Sequence, residues 1–450
     1  MKKILVNKEF LSDMLLIAVP IALQNLITSS LNMVDTLMIS ELGKSAIAAV
    51  GLANQLFFFY TLIIFGINSG GSIFISQYWG KKDTENIKKI LGLAVSLSAL
   101  AGLIFTIVAF FYPQYVMRFF IKEPLVIQLG SEYLRIVSLS YVITGIGFSY
   151  SIASRSIGQA RMPMVVSFIS FLTNTLFNYL LIFGHFGFPK LGVAGAAYGT
   201  LIARIVEIVF ILYFVYKNID PLAATFQELT SWTKEFVGRY LKTTYPVIIN
   251  EALWALGQVM YTAAYAKIGE ESTAAVQVAA TIQNVFFVLV RGLANACTVM
   301  VGNKIGAGEE EESYHYAIQF LIISTVSGLI LGLVLLLTPS ITLKLFKNLE
   351  PDVYELSKLL LMFMGVFYFI RTFNATLIVG VLRGGGDTSF SMYLEMGAVW
   401  LVGVPLAFFG ALILKLPVYL VFVLVSTEEI VKAFIGFPRI RSRKWIKNVT

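Results

Sequence analysis

Apolar residues in this chain come in long unbroken runs. Runs of about 20 residues or more, the length a helix needs to cross a hydrocarbon core, fall near 13–39, 49–76, 88–112, 129–154, 163–184 and 192–216. The polar stretch YKNIDPLAATFQELTSWTKEF follows. Six further runs fall near 241–267, 275–303, 315–338, 354–382, 388–411 and 417–437. Only helices or closed barrels satisfy their backbone groups inside a bilayer, and runs of this length point to helices. The pattern predicts an all-α polytopic membrane protein with twelve transmembrane helices.

The runs repeat. Pro20 and Pro246 are 226 positions apart, and the same offset relates Thr36 to Thr262, Gly43 to Gly269, Gly66 to Gly292 and Gly80 to Gly306. Later, ASRSIGQARMPM resembles VLRGGGDTSFSM, with Arg155 and Arg383 at an offset of 228. Each repeat holds six spans, an even number, so both enter the membrane from the same side. The expectation is two six-helix bundles related by a parallel pseudo-two-fold axis along the membrane normal, with a substrate site between the halves. The expected domains are an N-terminal bundle at 1–216, a cytoplasmic linker at 217–240 and a C-terminal bundle at 241–450.

Composition agrees. Apolar residues make up 57% of the chain and charged residues 13%, against about 25% charged in a typical soluble domain. The net charge of +8 would suggest nucleic acid in a soluble protein. Here it follows from Lys and Arg on inner loops, and no nucleic acid partner is expected. With the N-terminus inside, the inner segments hold Lys2, Lys3, Lys8, Lys81, Lys82, Lys88, Lys89, Arg155 and Arg161, with Arg439–Lys447 closing the chain. The outer loops keep fewer, among them Lys44, Arg118, Lys190 and Lys347. Both termini are expected on the cytoplasmic face of the plasma membrane. The first run follows Lys2, Lys3 and Lys8, is too long for a signal segment and reads as the first span. The single Cys297 cannot form an intrachain disulfide, and His185 and His315 lie far apart without ligand spacing. No enzyme, cofactor or resident metal site is expected.

Polar residues inside the spans carry the candidate chemistry. A carboxylate at mid-membrane costs about 3 kcal/mol on insertion scales and usually faces a cavity or a partner. Asp35 in SSLNMVDTLMIS is one, with no basic residue a turn away on its own helix. Asn174 and Asn178 are four apart, so their amides share a helix face, and Thr200 could add a hydroxyl. One charge and several neutral oxygens suit a hard cation such as Na⁺ or a protonated Asp35. The competing reading is a polar seam that holds helices together. Glu251, whose counterpart at the 226 offset is Asn25, would bind a proton or a cationic substrate, or form a salt bridge to Arg371. Arg204 and Glu207 are expected to pair. Glu428, Glu429 and Lys432 are expected to face the inner interface. The Arg383-Gly-Gly-Gly-Asp387 run reads as a tight turn with glycine at positive φ.

Taken in order, VPIALQNLITSSLNMVDTLMIS, GINSGGSIFISQYWGKKD, SIGQARMP, NTLFNYLLIFG, GVAGAAYGT, INEALWALGQ and VLRGGGDT resemble the multidrug and toxic compound extrusion (MATE) family, from about Leu11 to Arg443. The resemblance implies an antiporter exporting drug-like, often cationic organic compounds or amphiphiles against inward H⁺ or Na⁺, working as a monomer in the bilayer by alternating access. It implies a cation site at Asp35, Asn174, Asn178 and Thr200. Some relatives have a second acid where this chain has Asn178. One branch couples through an acid at the Glu251 position and an aspartate on helix ten, where this chain has Arg371, Thr372 and Asn374. A flippase for lipid-linked oligosaccharides or lipids, of the same superfamily, is the alternative.

Overall fold

The computed structural model describes residues 8–344, 346 and 349–450. Lys2, Lys3 and Lys347, used in the charge count above, lie outside the described residues. Twelve long helices are found among those described: α1 (Lys8–Ser40), α2 (Lys44–Gly80), α3 (Thr84–Phe111), α4 (Pro124–Ser156), α5 (Arg161–Phe183), α6 (Val193–Asn218), α7 (Lys234–Ala266), α8 (Glu270–Gly306), α9 (Glu310–Leu337), α10 (Pro351–Arg383), α11 (Thr388–Ile413) and α12 (Val418–Arg441). Each corresponds to one of the twelve apolar runs. Ten are long enough and hold a stretch apolar enough to cross a membrane, by length and composition. The other two, α7 and α12, are long enough but carry Glu251, Glu428, Glu429 and Lys432. Large apolar side chains such as Leu329, Ile330, Leu333 and Leu337 on α9 stay exposed, as a lipid-facing surface requires and a water-facing one does not.

The chain forms two compact units: Leu23–Ile248, and residues up to Ala22 together with Ile249–Thr450. The boundary therefore falls inside α1 and α7, two or three residues after Pro20 and Pro246. Both prolines lie within helices, where the missing N–H and the ring weaken the turn. The compact units thus differ from a division at 217–240 by two exchanged half-helices. In the first unit, the start of α7 lies on α2: Tyr240 donates to the Ile67 carbonyl at 2.8 Å, and a Cβ at Gly66 would meet the Ile248 backbone at 2.8 Å. In the second unit, the start of α1 packs on α8 and α9. Phe10 meets Phe320 edge-on at 5.0 Å, and a Cβ at Gly292 would meet the Ala18 carbonyl at 2.7 Å. Gly66 and Gly292 are the repeat-related pair from the sequence, and each marks a close helix crossing.

Between α6 and α7 the non-spanning segment is shorter than expected, because α7 begins at Lys234. Its short helix Phe226–Thr230 opens with a capping box, Thr225 and Glu228 bonding reciprocally. Lys88 on α3 adds an ion pair to Glu228 at 2.9 Å. The Thr225 backbone N–H, then Lys88 and the Thr225 hydroxyl, hold the Glu228 carboxyl down at about 2. A folded-state value below the unfolded one favours the folded segment above the unfolded value and loses that contribution as pH falls through about 2. Glu228→Gln is therefore expected to speed limited proteolysis of residues 219–233 at neutral pH, read by mass spectrometry. Unchanged cleavage would show that the cap does not hold the segment.

The Gly-Gly-Gly turn between α10 and α11 is tight, as expected, with Gly386 at φ +83°. Asp387 beside it is buried and binds Arg439 at 2.8 Å and Lys447 at 2.6 Å, which ties the C-terminal segment to the turn. Among the described residues, widened π-helical turns occur only in α10 and α11, at Thr376–Arg383, Val399–Gly403 and Phe409–Ile413. Such turns often stand at functional positions.

Candidate functional site

Helices α1, α5 and α6 bring the four expected residues of the first unit together. Asn178 donates from Nδ2 to Asp35 Oδ1 at 2.6 Å and to Asn174 Oδ1 at 3.1 Å. Asn174 in turn donates to Thr200 Oγ1 at 3.4 Å. Asn174 and Asn178 are 1% and 0% exposed. The four-residue spacing on α5 that put both amides on one face is what stacks them here. Asn178 Oδ1 is buried without a partner, so the cluster holds one acceptor more than its donors fill.

Close approach of α5 and α6 makes this possible. A Cβ at Gly199, one residue before Thr200, would lie 2.1 Å from Asn178 Oδ1. Gly199→Ala must push the Asn178 amide aside, at about 1–3 kcal/mol for overpacking. A lower melting temperature and several-fold weaker export are expected from fluorescence unfolding and dye-efflux assays. Wild-type values for both would mean the amide position is not critical.

Two neighbours were not singled out for this site from the sequence. Tyr133 on α4 donates to Asn54 Oδ1 at 3.5 Å and interacts electrostatically with Asp35. Arg204 on α6 interacts electrostatically with Asp35 while paired, as expected, with Glu207 at 2.5 Å. Arg204 lies one turn beyond Thr200, a spacing that could have flagged it. Tyr133 is one aromatic among many, and nothing local marks it.

In the second unit the expected partner of Glu251 is corrected. Glu251 pairs with Arg383 at 2.7 Å, and Arg383 also reaches Glu395 at 3.5 Å. Arg371 instead stacks over Phe287, 5.3 Å from the ring centre. Twelve residues separate Arg383 from Glu395, too many for one helix face, but the glycine turn folds α11 back beside α10. Asn250 completes the cluster, donating to Glu395 Oε2 at 2.5 Å.

The first unit holds a version of this arrangement without the two acids. Arg155 donates to Gln24 Oε1, and Gln24 donates to Ser167 Oγ at 2.8 Å. Arg155 and Ser167 lie 228 positions before Arg383 and Glu395, and Gln24 lies 227 before Glu251. The structural counterpart of Glu251 is thus Gln24, one residue from the Asn25 given by a fixed 226 offset. A drift of the register accounts for the slip.

Glu428, Glu429 and Lys432 also depart from expectation. They do not face an inner surface: Glu428 and Lys432 are 6% and 4% exposed, midway along α12. The described residues contain no group of three or more His, Cys, Asp or Glu able to hold a metal.

A sequence profile of the MatE family matches this chain twice, at residues 20–180 and 246–409. The chain belongs to the MatE family. The double match, starting at the two repeat-related prolines, makes each half of the protein one copy of the family unit. Similar proteins include the probable multidrug resistance protein NorM of Thermotoga maritima, 25% identical over 89% of this chain and 85% of that one. The probable multidrug resistance protein YoeA of Bacillus subtilis is 26% identical over 95% and 90%. Among solved structures, a MOP superfamily transporter from Pyrococcus furiosus, described as having a binding pocket of reversed polarity, superposes with a TM-score of 0.87 at 21% identity, covering 97% of this chain and 96% of that one. An outward-facing multidrug resistance MATE family transporter gives 0.86 at 21% identity, covering 96% of each. The structural likenesses establish the fold: twelve helices in two six-helix bundles. This MatE-family chain is a multi-pass membrane transporter.

Proposed function

We propose that this MatE-family transporter exports drug-like, often cationic organic compounds or amphiphiles across the plasma membrane by alternating access, as an antiporter driven by H⁺ or Na⁺. The relatives named as multidrug resistance proteins support the substrate class. The Asp35–Asn178 hydrogen bond carries the coupling. It sets one carboxylate among neutral oxygens, where one monovalent cation is the natural complement. Both ions fit the donor set. Na⁺ would take oxygens from Asp35, Asn174, Asn178 and Thr200, and a proton would make Asp35 a donor to the unpartnered Asn178 Oδ1. Loss of water makes a bare carboxylate costly, and amide N–H groups offset part of that cost. Ion exchange at Asp35 therefore changes the balance between two conformations, which a ligand shifts only by its differential affinity for them. We place both termini in the cytoplasm on the basic-residue distribution and read the working unit as a monomer. Glu251, held by Arg383, is the substrate or coupling residue proposed for the second half.

The test is efflux of a fluorescent cationic dye from proteoliposomes, with pH and Na⁺ gradients imposed separately. Efflux driven by one of them is expected. Dye movement that neither gradient accelerates would overturn the antiport reading.

A further inference from the structure

In the second unit, Glu428 and Glu429 share one ammonium. Lys432 Nζ lies 3.2 Å from Glu428 Oε1 and 3.2 Å from Glu429 Oε1. Tyr261 on α7 bonds Glu428 Oε2. Asn374 on α10 donates from Nδ2 to Glu429 Oε2 at 2.6 Å and to the Glu429 carbonyl at 2.7 Å. Both acceptors lack hydrogens of their own, so the amide orientation is fixed by its partners. Its other atom, Asn374 Oδ1, is left without a donor, on a side chain only 2% exposed.

The repeat places this cluster where the Asp35 site lies in the first half. Tyr261 is 226 positions after Asp35, and Glu428 and Lys432 are 228 after Thr200 and Arg204. The acid has moved from the first helix of the half to the last, and the basic residue has stayed. Both sites share a further feature: a carboxylate bound to the N–H of an asparagine whose own oxygen lacks a donor. Asn178 with Asp35 is one case, Asn374 with Glu429 the other.

We propose that Glu428, Glu429 and Lys432 form a second cation site, in the C-terminal half, whose ligand is a single proton shared by the two glutamates. Two carboxylates against one ammonium leave one negative charge in the helix interior, which is costly unless neutralised. A metal ion does not fit, because Lys432 already stands between the carboxylates. A proton needs no added space. On Glu428 Oε2 it turns an acceptor into a donor to the Tyr261 hydroxyl, a group that both gives and accepts hydrogen bonds, while the Asn374 amide stays fixed on Glu429. The other groups acting on the cluster are Tyr261 and Tyr265 from α7 and Glu395 from α11, and Arg371 from α10 acts on Tyr265. Arg371 stacks on Phe287, and the hydrogen bonds of Glu395 go to Arg383 and Asn250.

The site is tested by pH-difference infrared spectroscopy of the full chain in lipid, following the carboxylic-acid C=O stretch. Either Glu428→Gln or Glu429→Gln alone leaves a neutral Glu–Lys pair, so each is expected to remove the same one-proton band. Asp35→Asn is expected to keep it. Asn374→Leu removes the N–H that favours the charged form of Glu429 without changing charge and is expected to raise the pH at which the band appears; it carries the test if a glutamine variant fails to fold. A band set unchanged in both glutamine variants overturns the proposal. So does loss of every carboxylic-acid band in Asp35→Asn, an outcome that leaves the Asp35 reading standing. The reverse outcome, with the glutamine-sensitive band present and no band tied to Asp35, counts against proton exchange at Asp35 alone.

Discussion

Asp35→Asn is expected to reduce gradient-driven dye export to the ion-independent leak, a fall of roughly 100-fold or more, while the protein folds at least as well as wild type. The loss follows from the driving force. Carrying a two-state equilibrium from 1:99 to 99:1 takes about 5.5 kcal/mol of differential binding, and a neutral amide at position 35 neither takes up a proton nor attracts Na⁺. Retained folding follows from the hydrogen bonds. Asn178 donates to Asp35 while its own Oδ1 has no donor. An asparagine at 35 brings an N–H that fills that acceptor, and it removes a charge from a half-buried position. Export per reconstituted protein and the melting temperature in detergent check the two parts. A variant that unfolds would point to a structural role for Asp35, and one that exports fully would remove it from the coupling.

Arg383→Gln is expected to destabilise the second half strongly. Arg383 is 2% exposed and serves Glu251 and Glu395. Without it two carboxylates remain buried near each other, and breaking a buried ion pair from one side costs about 3–5 kcal/mol. The first half shows that glutamine fits the counterpart position of Glu251: Gln24 stands there beside Arg155. Glu251→Gln on the Arg383→Gln background is therefore expected to recover a large part of the lost stability. Unfolding of both variants in one detergent, followed by tryptophan fluorescence, measures the recovery. An additive loss in the double variant would mean that Glu251 and Arg383 are not energetically coupled.

Much of the fold was legible because length and apolarity alone decide whether a helix can span. Even α7 and α12 were visible despite Glu251 and Lys432, since a few charges do not interrupt a run. The exchange of half-helices at Pro20 and Pro246 was not legible, because it depends on which bundle each half packs against. Asp35, Asn174, Asn178 and Thr200 were found because polar residues in apolar runs stand out and a four-residue spacing fixes a shared face. Pairings between distant helices were harder. Arg383 reads from the sequence as part of a turn, and only the hairpin that folds α11 back beside α10 brings Glu395 to it. Glu428 and Lys432 were placed at a surface because they lie near the end of the chain. The repeat register, allowed to drift from 226 to 228, would have set Gln24 opposite Glu251 and Glu428 opposite Thr200.

The most direct measurement of the central claim is the ion released or taken up when a cationic dye binds to the purified protein, counted by calorimetry in buffers of different ionisation enthalpy and at different Na⁺ concentrations. If Asp35 is the exchange site, Asp35→Asn displaces one cation equivalent fewer than wild type. Equal displacement by the two proteins would contradict the account.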